Sequence, residues 1–229
     1  MKASLFFDLP ASLSAFSAHF SPDVAPWEWL KAIGQALDSV ELPPAMEGPL
    51  PGHPGVQVSG QVYLHPTVTL PAFATLIGPA WIGPKVDIRP GAYVRGNVIV
   101  GEGSVLGNSC EYKNCLLMDH VETMHFNYVG DSILGNGAHL GAGAICSNLR
   151  LDRKPVIVQL PDGPVDTGIR KFGAILGDRV EVGCNVVLNP GAVLGKRSLV
   201  APAIAFTGYL PAATIARART QISFVERRD

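Results

Sequence analysis

Residues 76–107 read LIGPAWIGPKVDIRPGAYVRGNVIVGEGSVLG, with a branched aliphatic residue at every sixth position: Leu76, Ile82, Ile88, Val94, Val100 and Leu106. The series extends back through Val58, Leu64 and Leu70 and forward to Tyr112. A period of six fits neither the 3.6-residue repeat of a lone helix nor the two-residue alternation of a single strand. It fits a solenoid coil of three short strands, each sending one side chain inward, with coils stacked about 4.8 Å apart by backbone hydrogen bonds. Glycine often follows the anchor, as at Gly83, Gly101, Gly141 and Gly183, where a corner would bring backbones too close for a Cβ. The fold class read from this pattern is all-β, a parallel β-helix of hexapeptide repeats.

Downstream the anchors continue at Leu117, Thr123, Val129, Leu134, Leu140 and Cys146 with two one-residue deletions, and resume at Leu176, Val182, Leu188, Leu194, Val200 and Phe206. Between the two runs, LRLDRKPVIVQLPDGPVDTGIR (149–170) breaks the repeat. Its Pro161-Asp162-Gly163 reads as the tip of an extruded hairpin or loop, and such excursions often line a cleft. Residues 1–55 lack the period. Asp23 to Leu37, with Pro26 near the first turn and Trp27, Leu30 and Leu37 at helical spacing, is expected to form a helix in a small cap over the open end of the solenoid. The organisation expected is therefore a cap (1–55), the β-helix (56–210) and a C-terminal arm (211–229) that carries Arg217, Arg219, Arg227 and Arg228.

Apolar residues make up 47% and charged residues 16% of the chain, so it has a core to bury and is not disordered. A formal charge of −1, without a basic run longer than a pair, offers no phosphate-tracking stripe, and nucleic acid is not an expected partner. Asp8 and Pro10 interrupt the one apolar run at the N-terminus, so neither a leader nor a membrane partner is expected and the chain is read as cytoplasmic. The four cysteines, Cys110, Cys115, Cys146 and Cys184, show no CxxC pairing and are expected to be free, mostly buried thiols.

IRPGAYVRGNVIVGEGSVLGNSCEYKNC (88–115) and MHFNYVGDSILGNGAHLGAGAICSN (124–148) resemble the acetyltransferase half of the bifunctional glucosamine-1-phosphate acetyltransferase / N-acetylglucosamine-1-phosphate uridyltransferase family. The resemblance runs from about residue 58 to 208, and its specific segments are HFNYVGD (125–131) and LGAG (140–143). It implies a left-handed β-helix, a homotrimer, acetyl-CoA as acyl donor with no tightly bound cofactor, and a sugar phosphate or nucleotide sugar as acceptor. By position it makes His125 the general base. It assigns Arg89, Lys113, Tyr128, His139, Asn148 and Lys171 to the acceptor, with Arg89 and Lys113 on its phosphate, and Ala142, Cys184, Pro202 and Arg217 to the acetyl-CoA groove. No glycine-rich nucleotide motif stands at the N-terminus, so uridyl transfer is not expected.

The chemistry is consistent with these residue types. An amine must lose a proton to attack a thioester, and an imidazole, which ordinarily titrates near pH 6.5, is suited to accept it. The developing oxyanion needs backbone N–H donors, which the 141–143 turn is expected to supply. Ala142 follows His125 by 17 residues, one coil with one deletion, so the two should lie at the same azimuth on adjacent coils. Two other functions fit the fold. One is a zinc-dependent hydratase like the γ-class carbonic anhydrases, with His120 and His125 as ligands and His139 as the third. The other is a non-catalytic sugar-phosphate binding or scaffold protein.

Overall fold

A computed structural model describes residues 1–219 and 223–227. Their centre is a parallel β-helix of three faces. Strands on one face pair with the next coil at an offset of 18 residues where the period is intact, as in Leu76↔Val94 and Ile82↔Val100. The offset is 17 where a residue is missing, as in Tyr112↔Val129 and Leu117↔Leu134. The anchors read from the sequence form the interior: Leu76, Ile82, Val94, Val100, Leu106 and their successors to Val200 are buried, and Phe206 is partly so. Glycine is required where two coils approach most closely at a corner. A Cβ on Gly107 would stand 1.9 Å from the Thr123 carbonyl oxygen of the next coil.

Both deletions fall at the same corner, on successive coils. There Glu111–Leu117 and Tyr128–Leu134 run unbroken from the first face to the second. Asn114 and Asp131 make the bend with left-handed backbones, φ +46° and +47°. The chain rejoins the solenoid after the extruded segment at this same corner, where the Phe172 N–H donates to the Asn148 carbonyl (2.9 Å) and that of Gly173 to Asp131 (2.8 Å).

The second face is buried on both sides. Its inward anchors are flanked by outward Trp81, Ile99, Leu116, Ile133, Ile175 and Val193, which form a second apolar cluster with the N-terminal segment. This corrects the expected position of the cap. Residues 1–40, with their helix at Glu28–Asp38, lie along the flank of the solenoid rather than over its end, because the flank carries the apolar surface that needs a cover. Phe16 meets Trp81 edge-on at 5.5 Å, and Trp29 is buried with its Nε1–H donated to the Ser21 carbonyl (2.8 Å). The open end is instead closed by Met46–Leu50, antiparallel to His53–Gly60, with Met46 and Leu50 against the interior.

The 149–170 segment does contain a hairpin, Ile157–Leu160 against Gly163–Asp166, and its Val156 and Val158 are buried in the flank cluster. The C-terminal boundary at 210 also moves. Ile215–Ala216 pairs with Leu199–Val200, so the last coil extends to Ala216 and the arm is shorter. Residues 220–222 and 228–229 of that arm, Arg228 among them, lie outside the described residues. Among the described residues no helix is long and apolar enough to cross a membrane.

Candidate active site

His125 ends the strand Glu122–His125 on the third face and stands exposed at the corner leading to the first. The ladder continues through Glu122↔His139 and Thr123↔Leu140, which places Ala142 one coil above His125. The His125 carbonyl accepts from the Gly143 N–H at 3.0 Å, so the expected adjacency of His125 and the turn holds. The expected supply of donors is narrower. The Gly141 N–H is given to Val182 (2.7 Å) and that of Gly143 to His125, which leaves Ala142 as the amide of this turn without a protein acceptor among the described residues.

The strand that carries His125 rests on polar groups inside the solenoid. Tyr112 and Thr123 occupy anchor positions, their hydroxyls 2.6 Å apart, and the Thr123 hydroxyl donates to the Val105 carbonyl (2.8 Å) while the Gly107 N–H donates to Tyr112 (3.0 Å). Burial pushes the Tyr112 phenol well above its usual range, so it stays neutral. Asn127, 2% exposed, donates Nδ2–H to the Gly141 (2.8 Å) and Ala144 (3.3 Å) carbonyls. It thereby fixes the turn that presents Ala142. Neither Asn127 nor this network was read from the sequence. Tyr112 and Thr123 did carry a signal, since a polar residue at an anchor position breaks the aliphatic ladder and must be paired when buried, whereas Asn127 stands two places before an anchor and carried none.

A second cluster occupies the corner of the deletions. Asp131, 4% exposed, accepts from Lys113 Nζ (3.3 Å to each oxygen), Asn114 Nδ2 (2.9 Å) and Asn148 Nδ2 (2.5 Å), and Asn148 also donates to the Tyr128 hydroxyl (3.1 Å). Burial, and after it the Asp131 carboxylate, raise the Tyr128 phenol above its ordinary value, so it acts as a neutral hydroxyl. Three of the expected acceptor residues, Lys113, Tyr128 and Asn148, are thus brought together by Asp131, a residue the sequence reading passed over although it closes HFNYVGD. Lys171 lies nearby, exposed, at the base of the extruded segment and bridged to Leu149.

Arg89 belongs to the His125 corner. Its Nε donates to Asp87 (3.1 Å), and Nη1 reaches the Met124 sulfur at 3.8 Å, two coils up, across Gly107. Cys184 and Pro202 continue the corner above Ala142 and line a groove of about 270 Å³ with Gly141, Val200, His139 and Glu181. Arg217 is exposed just past Ala216, the partner of Val200, one coil beyond this groove. His139 was expected with the acceptor residues. The structure sets it on the third face, where its Nδ1 is 3.1 Å from Glu181, beside the groove and away from the Asp131 cluster. His120 and His125 occupy opposite ends of the third face, and among the described residues no three His, Cys, Asp or Glu side chains converge on a point where a metal ion could sit.

Residues 76–205, more than half of the chain, match the family of the GMPPB C-terminal domain. The chain belongs to that family. It is 34% identical over 175 residues to the bifunctional protein GlmU of Methanococcus vannielii, a match that covers 76% of this chain and 41% of that protein. It is 43% identical over 111 residues to the bifunctional protein GlmU of Methanococcus maripaludis strain C5, covering 48% of this chain and 27% of the relative. With the uncharacterized acetyltransferase YaiX of Escherichia coli K12 it shares 30% identity over 158 residues, 69% of each chain. The chain therefore spans between about a quarter and two fifths of the length of these GlmU relatives. The resemblance drawn from HFNYVGD and LGAG holds at the level of the domain family.

Proposed function

We propose that this chain transfers the acetyl group of acetyl-CoA to the amine of an amino-sugar phosphate or a nucleotide-linked amino sugar. The observation that carries the reading is the adjacency of an exposed imidazole, His125, and the Ala142 N–H one coil above, unpaired among the described residues, at the mouth of a groove lined by Gly141, Cys184 and Pro202. The names of the relatives, bifunctional GlmU proteins and an acetyltransferase, support it.

The thioester lies at the corner with its carbonyl oxygen toward the Ala142 N–H and the pantetheine arm along the groove toward Arg217. The acceptor amine approaches from the Tyr128–Asn148–Lys113 side and gives up a proton to His125 as its nitrogen bonds the carbonyl carbon. Collapse of the tetrahedral adduct breaks the C–S bond, and the proton passes from His125 to the departing thiolate. No covalent enzyme intermediate is required, because holding both reactants in one geometry supplies much of the rate. Assembly as a homotrimer belongs to the same proposal.

The test is release of free CoA thiol from acetyl-CoA with a panel of amino-sugar phosphates and nucleotide amino sugars. At least one acceptor should give steady turnover, and His125→Ala should lower kcat by about 10²–10⁴-fold while acetyl-CoA still binds. Thiol release from no acceptor, or an undiminished kcat in His125→Ala, overturns the reading.

A further inference from the structure

Below His125 the same corner descends to a small cavity. Successive coils place Phe73, Gly91, Ser109 and Phe126 one above another, so two exposed aromatic residues stand three coils, about 14 Å, apart along the axis with small residues between them. At the lower end Phe73 (56% exposed) and Tyr93 (37% exposed) line a cavity of about 160 Å³ with Gly91, Thr75 and Gln57. Gly91 makes the room. Its φ is +77°, and a Cβ there would stand 3.5 Å from the Phe73 ring and 3.1 Å from the Ser109 hydroxyl. Gln57 donates its Nε2–H to Pro54 (3.0 Å), which leaves its amide oxygen to the cavity rim.

The charges along this corner are uneven. Between Tyr93 and Tyr128 stands Glu111, which Arg95 pairs at 2.5 Å, and the Arg95 guanidinium also lies 5.6 Å from the centre of the Tyr93 ring. Arg89 extends along the corner from the level of the cavity to Met124, beside His125. From bottom to top the surface offers two aromatic faces with a hydroxyl and an amide, then a guanidinium, then the imidazole. That order matches a planar base, a diphosphate and an amino sugar.

The geometry points to a base-binding subsite: the acceptor is a nucleoside-diphosphate amino sugar whose base stacks on Phe73 and Tyr93, whose diphosphate meets Arg89, and whose amine reaches His125. This rests on the acyl-transfer reading and narrows its acceptor. Base–aromatic stacking tolerates any base, so the two rings supply affinity and Thr75 and Gln57 choose among bases.

The test is calorimetric titration of the full chain, without acetyl-CoA, using GDP, UDP and ADP as probes beside inorganic pyrophosphate and glucosamine 1-phosphate. At least one nucleoside diphosphate should bind tenfold or more tightly than pyrophosphate. Phe73→Ala and Tyr93→Ala should each weaken it by about 5- to 150-fold and leave pyrophosphate unchanged, while Arg89→Ala weakens both. Both rings are exposed, so an unaltered Tm is expected and checks folding. Nucleoside diphosphates that bind no better than pyrophosphate or glucosamine 1-phosphate, or an undiminished affinity in both aromatic variants, overturn the subsite. Acetylation of glucosamine 1-phosphate without nucleotide binding overturns the subsite and leaves acyl transfer standing. Tight nucleotide binding without thiol release from any amino sugar supports the stacking surface and overturns acyl transfer.

Discussion

Asn127 never reaches solvent, yet it governs what the solvent-facing corner presents. Its amide donates to the Gly141 and Ala144 carbonyls, each of which also accepts one backbone N–H, so removing it loses two buried hydrogen bonds at about 0.5–1.5 kcal/mol each and loosens the turn whose Ala142 N–H is free among the described residues. Asn127→Ala should therefore lower the urea midpoint and reduce kcat by more than tenfold, with a smaller change in the KM for acetyl-CoA. The thiols divide by the same logic of burial. Desolvation pushes Cys146 up to about 12 and raises Cys115 and Cys110 as well, while Cys184 is exposed in the groove. Of the four thiols, Cys184 should react with a chromogenic disulfide reagent in the native protein and all four after denaturation. Saturating acetyl-CoA should slow the native reaction, and equal rates with and without it would show that acetyl-CoA does not occupy the groove beside Cys184.

Among the elements, the corners carry the tightest constraint, because backbones there approach to contact. Gly107→Ala would drive a Cβ to 1.9 Å from the Thr123 carbonyl, beneath the His125 strand, and overpacking of this kind costs about 1–3 kcal/mol. Gly34 sits inside the helix Glu28–Asp38 with nothing within 4 Å of its would-be Cβ. Gly34→Ala should stabilise the chain by about 0.5–1 kcal/mol through helix propensity. Opposite shifts of Tm for the two variants would verify the distinction between a corner glycine and an incidental one. The deletions work at this scale too. They let two strands run through one corner without a break, which stacks Asn114, Asp131 and Asn148 on neighbouring coils with Lys113 beside them.

At the scale of the whole molecule, the N-terminal segment covers a flank that would otherwise expose Trp81, Ile99, Leu116 and Ile133 together. It is pinned by the Phe6 carbonyl to the Asp178 N–H (2.9 Å) and by Lys196 to Asp8 (2.6 Å). A chain lacking residues 1–40 should be aggregation-prone and bind a hydrophobic dye, since contiguous apolar patches of this kind seek a partner. Trp29→Ala, which empties a buried site against Phe7 and Phe20, should cost about 3–5 kcal/mol by chemical denaturation.

The period of six by itself determined the solenoid, its inward ladder and the shared azimuth of His125 and Ala142, because each depends only on counting residues along a repeating backbone. HFNYVGD and LGAG carried the family. The sequence also held the apolar second face, at the residue before each anchor in Trp81, Ile99, Leu116, Ile133, Ile175 and Val193, a pattern masked by the stronger signal of the anchors. Only the tertiary structure decided which groups remain free. Whether an amide in the 141–143 turn is spent on the ladder, whether Lys113 meets a buried carboxylate and on which face His139 lies all depend on which coil stacks above, and the 149–170 excursion separates some of those neighbours by 42 residues. Contacts so distant in the chain leave no periodic trace in it.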